Sequence, residues 1–146
     1  RHESSPLEII DFIQSNEGVA ERTIMGHIER TIYDYDTLES LAKTGVYLNF
    51  DQLGIESSYY PLNPKSYMPS DHQKIEFIKA ISDAGFNGKL LLGHDIYSKN
   101  RLKKYGGHGY SHTFESLLNR MKAIGMQKEK INDIIIENPK KILTFE

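Results

Sequence analysis

Leu90-Leu91-Leu92-Gly93-His94-Asp95 decides the fold. It is a short apolar run, set off by Asn87-Gly88, that ends on a His-Asp pair and opens into a long polar, glycine-rich loop. A continuous apolar run between turn signals suits a strand buried on both faces, as in a parallel sheet beneath helices. Charge enters only at the C-terminal end of that strand. Carboxylates are costly in a dry core, and α/β folds build their sites along that edge.

Two upstream segments finish the same way. Arg22-Thr23-Ile24-Met25-Gly26-His27 reads as a short strand with His27 at its polar end, and Val46-Tyr47-Leu48-Asn49-Phe50-Asp51 as a second that stops on a carboxylate. Helices separate the strands. Ser4-Ser5-Pro6 starts the first, with Ser as cap and Pro in the opening turn, and Leu7, Ile10 and Ile13 keep helical spacing to about Asn16. Asp34 to Lys43 gives the next, with Gly45 just past its end. Ser70-Asp71 caps a third that carries Ile75 and Ile78 and stops at Gly85. Phe114 to Ile124, Lys128 to Glu137, and a short segment begun by Asn138-Pro139 close the chain, the last expected to bury Ile142, Leu143 and Phe145.

Two stretches show no period. Residues 52–70 hold Pro61, Pro64 and Pro69 with Tyr59, Tyr60 and Tyr67. A loop of that length in a compact domain points to a lid or binding loop. Residues 96–111 run basic first (Lys99, Arg101, Lys103, Lys104) and then reach Gly106-Gly107-His108-Gly109. No strand immediately precedes these glycines and no Gly-Lys-Ser/Thr closes them, so they read as a flexible loop at the mouth of a site, not a nucleotide fingerprint.

Alternating β and α segments imply parallel strands with right-handed crossovers. A closed eight-stranded barrel takes ~250 residues, whereas three strands within 146 residues supply about the last three units and leave bare edges. The expectation is an α/β fold, the C-terminal part of a (β/α)₈ barrel, with residues 1–146 belonging to one domain. Because the chain opens on Arg1 and an immediate helix start in place of Met, it is expected to be a piece of a longer protein.

Composition excludes several classes. A net charge of -2, from 18 basic and 20 acidic residues, offers nothing to a nucleic acid. No apolar run nears the ~18 residues of a membrane span. The absence of Cys removes disulfides, thiolate metal sites and a Cys nucleophile, and fits a reducing, cytoplasmic setting.

What remains is the chemistry at the strand ends. His27, Asp51 and Asp95 finish three successive strands, and neutral imidazole with carboxylate suits Zn²⁺ and other borderline divalent ions. A carboxylate on such an ion can also exchange a proton with water there. Taken singly, a His near a strand end is more often a hydrogen-bonded structural residue, and an Asp more often a helix cap. By strand alternation Asp95 points the opposite way from His94, so only one of the two faces the barrel axis. His72 is expected on the surface, His112 at a helix start and His2 in solvent.

Met25-Gly26-His27-Ile28-Glu29-Arg30, Phe50-Asp51, Leu91-Leu92-Gly93-His94-Asp95, Tyr105-Gly106-Gly107-His108-Gly109-Tyr110 and Glu137-Asn138-Pro139 together resemble, in this order, the phosphotriesterase family of the amidohydrolase superfamily. The resemblance implies a (β/α)₈ barrel with a binuclear divalent centre, usually two zinc ions. Its ligands are a His-x-His pair on strand 1, a carboxylated Lys on strand 4, His on strands 5 and 6, and Asp on strand 8. Carried over by motif, His27 would be the strand 6 ligand, and Asp95 the strand 8 ligand and proton acceptor. Asp51, His94, His108 and Tyr110 would stand beside the ligands or the substrate. The other ligands have no counterpart in these residues.

The implied activity is hydrolysis, a hydroxide between two metals attacking an ester, lactone, amide or phosphotriester. The family extends to organophosphate triesters, lactones and, in its animal branch, small N-acyl amides such as N-acetyltaurine. The basic run Lys99–Lys104 reads by default as solvated charge, and at the mouth of a site it would suit an anionic small-molecule substrate. A homodimer of the complete protein is compatible with this reading. The rival is a non-catalytic small-molecule-binding module, a truncated or degenerate barrel that keeps the pocket without the metals.

Overall fold

A computed structural model describes residues 2–57, 60 and 62–144; Tyr59, Pro61 and Phe145, to which the sequence reading gave places, lie outside the described residues. Among the described residues the strands β1 (Ile24–Gly26), β2 (Tyr47–Phe50) and β3 (Leu90–Leu92) form one parallel sheet in the order β1-β2-β3. Met25 pairs with Leu48, and Leu48 with Leu90, so the three C-terminal ends stand in line. The sheet does not close. Ile24, on the outer strand, keeps 42% of its surface exposed, whereas Leu48 and Leu90 are fully buried.

Each connection is helical. Helix α1 (Ser5–Ser15) precedes β1, α2 (Tyr35–Lys43) joins β1 to β2, and α3 (Asp71–Ile81) leads towards β3. Downstream lie α4 (Leu118–Ala123), α5 (Lys128–Asn132) and α6 (Asn138–Leu143). The helices pack Leu38, Leu41, Ile75, Ile78, Met121 and Ile134 against Leu48, Phe50 and Leu90. Alternation sends Tyr47, Asn49 and Asp51 to the other face of β2, away from that core.

The start signals differ in outcome. Asp34 caps α2 by accepting from the Thr37 N–H at 2.7 Å, and Ser70 with Gln73 forms a reciprocal capping box on α3. Ser4 does not cap α1; its hydroxyl bonds His2 Nδ1 at 2.8 Å instead, and the helix begins on Ser5 with Pro6 in its first turn. Asn138-Pro139 does not start a separate segment. The backbone runs helically from Lys128 to Leu143 through a wider π stretch, Asp133–Glu137, and Asn138 Nδ2 donates to the Asn87 and Leu90 carbonyls at 2.8 and 2.9 Å. Ile142 is half-buried, but Leu143 stays 68% exposed.

The long stretch after β2 is folded. Antiparallel bridges join Ser57 to Met68 and Tyr60 to Asn63, and its return is tied to the first crossover by stacking of Tyr67 on Tyr33 at 4.7 Å. The Tyr33 hydroxyl sits 2.9 Å from the Arg30 carbonyl and 3.0 Å from that of Tyr67. The described residues of this stretch form a flap held against the first crossover by aromatic side chains.

Candidate active site

The strands end one to three residues before the chemistry begins. His27 and Asp95 lie beyond β1 and β3, both with left-handed backbone (φ +58° and +44°), a conformation unusual outside glycine. Strand alternation therefore does not orient Asp95; its own turn does.

His27 is held by Asp51. One carboxylate oxygen, Oδ1, accepts both the His27 backbone N–H at 3.0 Å and Nδ1–H at 2.6 Å, while Oδ2 accepts from Asn49 Nδ2 at 3.1 Å. Because a carboxylate only accepts, Nδ1 carries the proton and Nε2 presents its lone pair, the tautomer a metal-binding imidazole needs. Two glycines make room for this carboxylate. A Cβ on Gly26 would lie 2.8 Å from Asp51 Oδ2, and one on Gly93 would lie 2.9 Å from Asp51 Cβ.

Gln52 connects the strand ends. Its N–H donates to Glu29 Oε1 at 2.6 Å, and its side-chain amide approaches Asp95 Oδ2 at 3.4 Å. Burial, with the Asp51 charge nearby, pushes the Glu29 carboxyl up to about 7. Beneath Gln52 lies a fully buried ammonium: Lys74 Nζ donates to the Gln52 and Ile55 carbonyls at 2.8 and 2.7 Å and to Asp71 Oδ1 at 3.2 Å. Asp71 also accepts from the Gly54 N–H at 2.9 Å and from His112 Nε2 at 2.6 Å. Burial alone would raise its pKa, yet the His112, Gly54 and Lys74 bonds outweigh that and hold it below the ordinary carboxylate value.

Asp95 meets Arg101. The guanidinium donates through Nη1 to the Asp95 carbonyl at 2.6 Å and through Nη2 to the Tyr97 hydroxyl at 3.1 Å, with the Asp95 carboxylate 3.6 Å away. Above these groups opens a cavity of about 420 Å³. Its polar wall is Arg30, Gln52, Asp95 and Arg101; Tyr60, Leu62 and Met68 from the flap form an apolar side.

The remaining expected residues lie elsewhere. His94 donates Nδ1–H to the Leu53 carbonyl at 3.1 Å, so its Nε2 accepts from the Thr113 hydroxyl at 2.9 Å, and neither nitrogen is left over. His108 packs its ring on Gly54, where a Cβ would come within 2.3 Å, and its centroid is 5.7 Å from that of His94 and 5.5 Å from that of His112. Burial lowers the pKa of both His94 and His108. This trio braces the loop following β2 from outside the cavity. Tyr110 is 68% exposed and absent from the cavity wall. In the basic run, Lys103 pairs with Glu115, Lys99 and Lys104 lie exposed near the Tyr105 ring, and only Arg101 reaches the cavity. His72 is exposed near Glu76, as expected.

Sequence reasoning gave no roles to Arg30, Gln52 or Tyr60. Arg30 and Gln52 each lie within three residues of a strand-end residue, and Arg30 closes the motif that begins at Met25. Among the described residues no three His, Asp or Glu side chains gather closely enough to hold a metal ion between them. His27, with its fixed tautomer, and Asp95 fit two positions of a divalent shell, not the three or four protein ligands that a zinc site uses.

Known proteins show what the chain as a whole is similar to. The chain is 45% identical over 145 residues to an N-acetyltaurine hydrolase of Dictyostelium discoideum, covering 99% of this chain and 39% of that protein. It is 44% identical to a phosphotriesterase-related protein of Nematostella vectensis, covering 100% of this chain and 42% of the other. The chain thus spans about two-fifths of the length of these relatives. Among solved structures, a resiniferatoxin-binding protein from Rhodobacter sphaeroides superposes with a TM-score of 0.87 at 25% identity, over 94% of this chain and 38% of that one. The phosphotriesterase homology protein from Escherichia coli does so at 0.80 and 22% identity, over 96% of this chain and 46% of that one, a likeness of fold. The family model described as the phosphotriesterase family matches residues 1–143, and the chain belongs to that family.

Proposed function

We propose that this chain forms the C-terminal part of a metal-dependent hydrolase that cleaves a small N-acyl amide of the N-acetyltaurine type. The observation that carries this is His27: its Nδ1–H is tied to Asp51 at 2.6 Å, which frees Nε2, and it ends the strand two places from the one that carries Asp95. The name of the Dictyostelium discoideum relative at 45% identity favours the amide over an ester, lactone or phosphotriester.

In the complete barrel His27 Nε2 and an Asp95 oxygen would hold a divalent cation, with zinc the best match to an imidazole and carboxylate set. When bound, the ion supplies Lewis-acid polarisation of the substrate carbonyl and acidifies water. Asp95 takes the proton released as water adds to the carbonyl, and passes it to the departing amine nitrogen. The Gln52 amide, 3.4 Å from Oδ2, keeps that carboxylate turned to the cavity, and Arg101 fixes the backbone of the same residue. The flap residues Tyr60, Leu62 and Met68 line the apolar side of the same cavity.

The test is release of the amine from N-acetyltaurine by the complete, zinc-loaded protein. Asp95→Asn should lower turnover by the ~10²–10⁴-fold expected when an acid-base group is lost. Absence of hydrolysis in the wild type with metal confirmed by elemental analysis would sink the reading. A binder is the second reading, favoured by the likeness to a resiniferatoxin-binding protein. It predicts ligand binding with neither bound zinc nor turnover.

A further inference from the structure

Resting on the hydrolase reading, we propose that Arg30 is the specificity residue of the cavity: its guanidinium receives the anionic end of the substrate, an oxyanion such as sulfonate or carboxylate. The cavity wall holds two arginines with different partners. Arg101 is committed, bonded to the Asp95 carbonyl at 2.6 Å and the Tyr97 hydroxyl at 3.1 Å, with the Asp95 carboxylate at 3.6 Å to offset its charge. Arg30 has no carboxylate within ion-pair distance among the described residues. Its Cζ lies over the face of Tyr60, 4.6 Å from the ring centroid.

That arrangement suits anion capture. The ring orients the planar guanidinium without neutralising it, and among the described residues no side chain takes its donor edge, which suits two oxygens of one oxyanion. The support is firm on both sides. The Arg30 carbonyl accepts from the Tyr33 hydroxyl at 2.9 Å, and the Thr31 hydroxyl donates to the His27 carbonyl at 2.8 Å, so the turn that carries His27 also fixes Arg30. Asp95 and Arg30 share one cavity of about 420 Å³, so a short substrate can meet both. The lysines of the 99–104 run are exposed and absent from that wall, so anion preference falls to Arg30 and not to them.

The experiment compares kcat/KM for N-acetyltaurine, N-acetyl-β-alanine and neutral N-acetylethanolamine in the complete zinc-loaded protein, for wild type, Arg30→Met, Arg30→Lys and the double variant Lys99→Ala/Lys104→Ala. Arg30→Met should cut the anionic-to-neutral ratio ~10–100-fold, the range that loss of a charge-assisted pair implies, mostly through KM. Arg30→Lys should restore part of it, and the double lysine variant should keep the wild-type ratio. Sulfonate and carboxylate substrates distinguish which oxyanion fits. An unchanged ratio in Arg30→Met, or one that collapses equally in the double lysine variant, overturns the proposal. Should the wild type hydrolyse none of the three, the hydrolase reading fails by itself, and calorimetry with N-acetyltaurine then judges Arg30. At least tenfold weaker binding by Arg30→Met supports the subsite, and equal binding refutes it.

Discussion

Removing Asp51 tests the site at its hinge. In Asp51→Ala, His27 loses the acceptor of its Nδ1–H at 2.6 Å and of its backbone N–H at 3.0 Å. The first loss frees the ring to rotate and to move its proton to Nε2, which blocks the lone pair a metal would use. The second removes support from a left-handed residue, a conformation that costs on the order of 1–3 kcal/mol outside glycine unless the surroundings hold it. Carboxylate partners of ligating histidines are each worth ~10–100-fold in metal affinity, or about 1.4–2.7 kcal/mol at ~1.36 kcal/mol per decade. Asp51→Asn keeps an oxygen that can accept both bonds, and Asn49 can turn its amide to match, so only the charge is lost. The expected order of zinc affinity in the complete protein is wild type, then Asn a few-fold weaker, then Ala ~10–100-fold weaker. Competition against a chromophoric chelator measures it, with circular dichroism to confirm folding. If Asp51→Ala bound zinc as tightly as wild type, the ring of His27 would not be under Asp51's control and the ligand assignment would fail.

Two further predictions concern the buried ion pair under Gln52. Lys74→Met should destabilise the fold by ~3–5 kcal/mol, because it leaves the Asp71 carboxylate buried with only His112 and Gly54 as donors, and adding Asp71→Asn should recover part of the loss in denaturant melts. Asp71 has a depressed folded pKa, so its stabilising contribution is complete above its unfolded pKa of ~3.9 and disappears as pH falls through the lower folded value. Melts between pH 6 and 2 should therefore show an acid loss of stability that Asp71→Asn flattens; an identical acid limb in the variant would refute the assignment.

The sheet was legible because its cause is local. Apolar runs bounded by turns at Leu90 and Val46 suit buried strands, and helix caps at Asp34 and Ser70 are spelled out within four residues of sequence. The flap was legible as a long loop without period but not in its folding, since what holds its described residues is distant: Tyr67 on Tyr33, Tyr60 under Arg30, and Lys74 Nζ on the Ile55 carbonyl. None of those pairs leaves a period in the chain. Leu143 failed for a related reason, as an apolar residue in a helical pattern says nothing of whether a neighbour covers it.

At the site, residue type was readable and orientation was not. His27, Asp51 and Asp95 were named because polar residues ended apolar strands, but the sequence could not say that His27 and Asp95 would leave the ladder with positive φ. It suggested alternation, which would have turned the Asp95 side chain by where it fell in the strand. The structure turns it by backbone conformation, with Arg101 bonded to its carbonyl. Gly26 and Gly93 explain why such turns are possible: each gives Asp51 the space that a Cβ would fill. The same residue that makes His27 competent therefore requires glycine on both neighbouring strands.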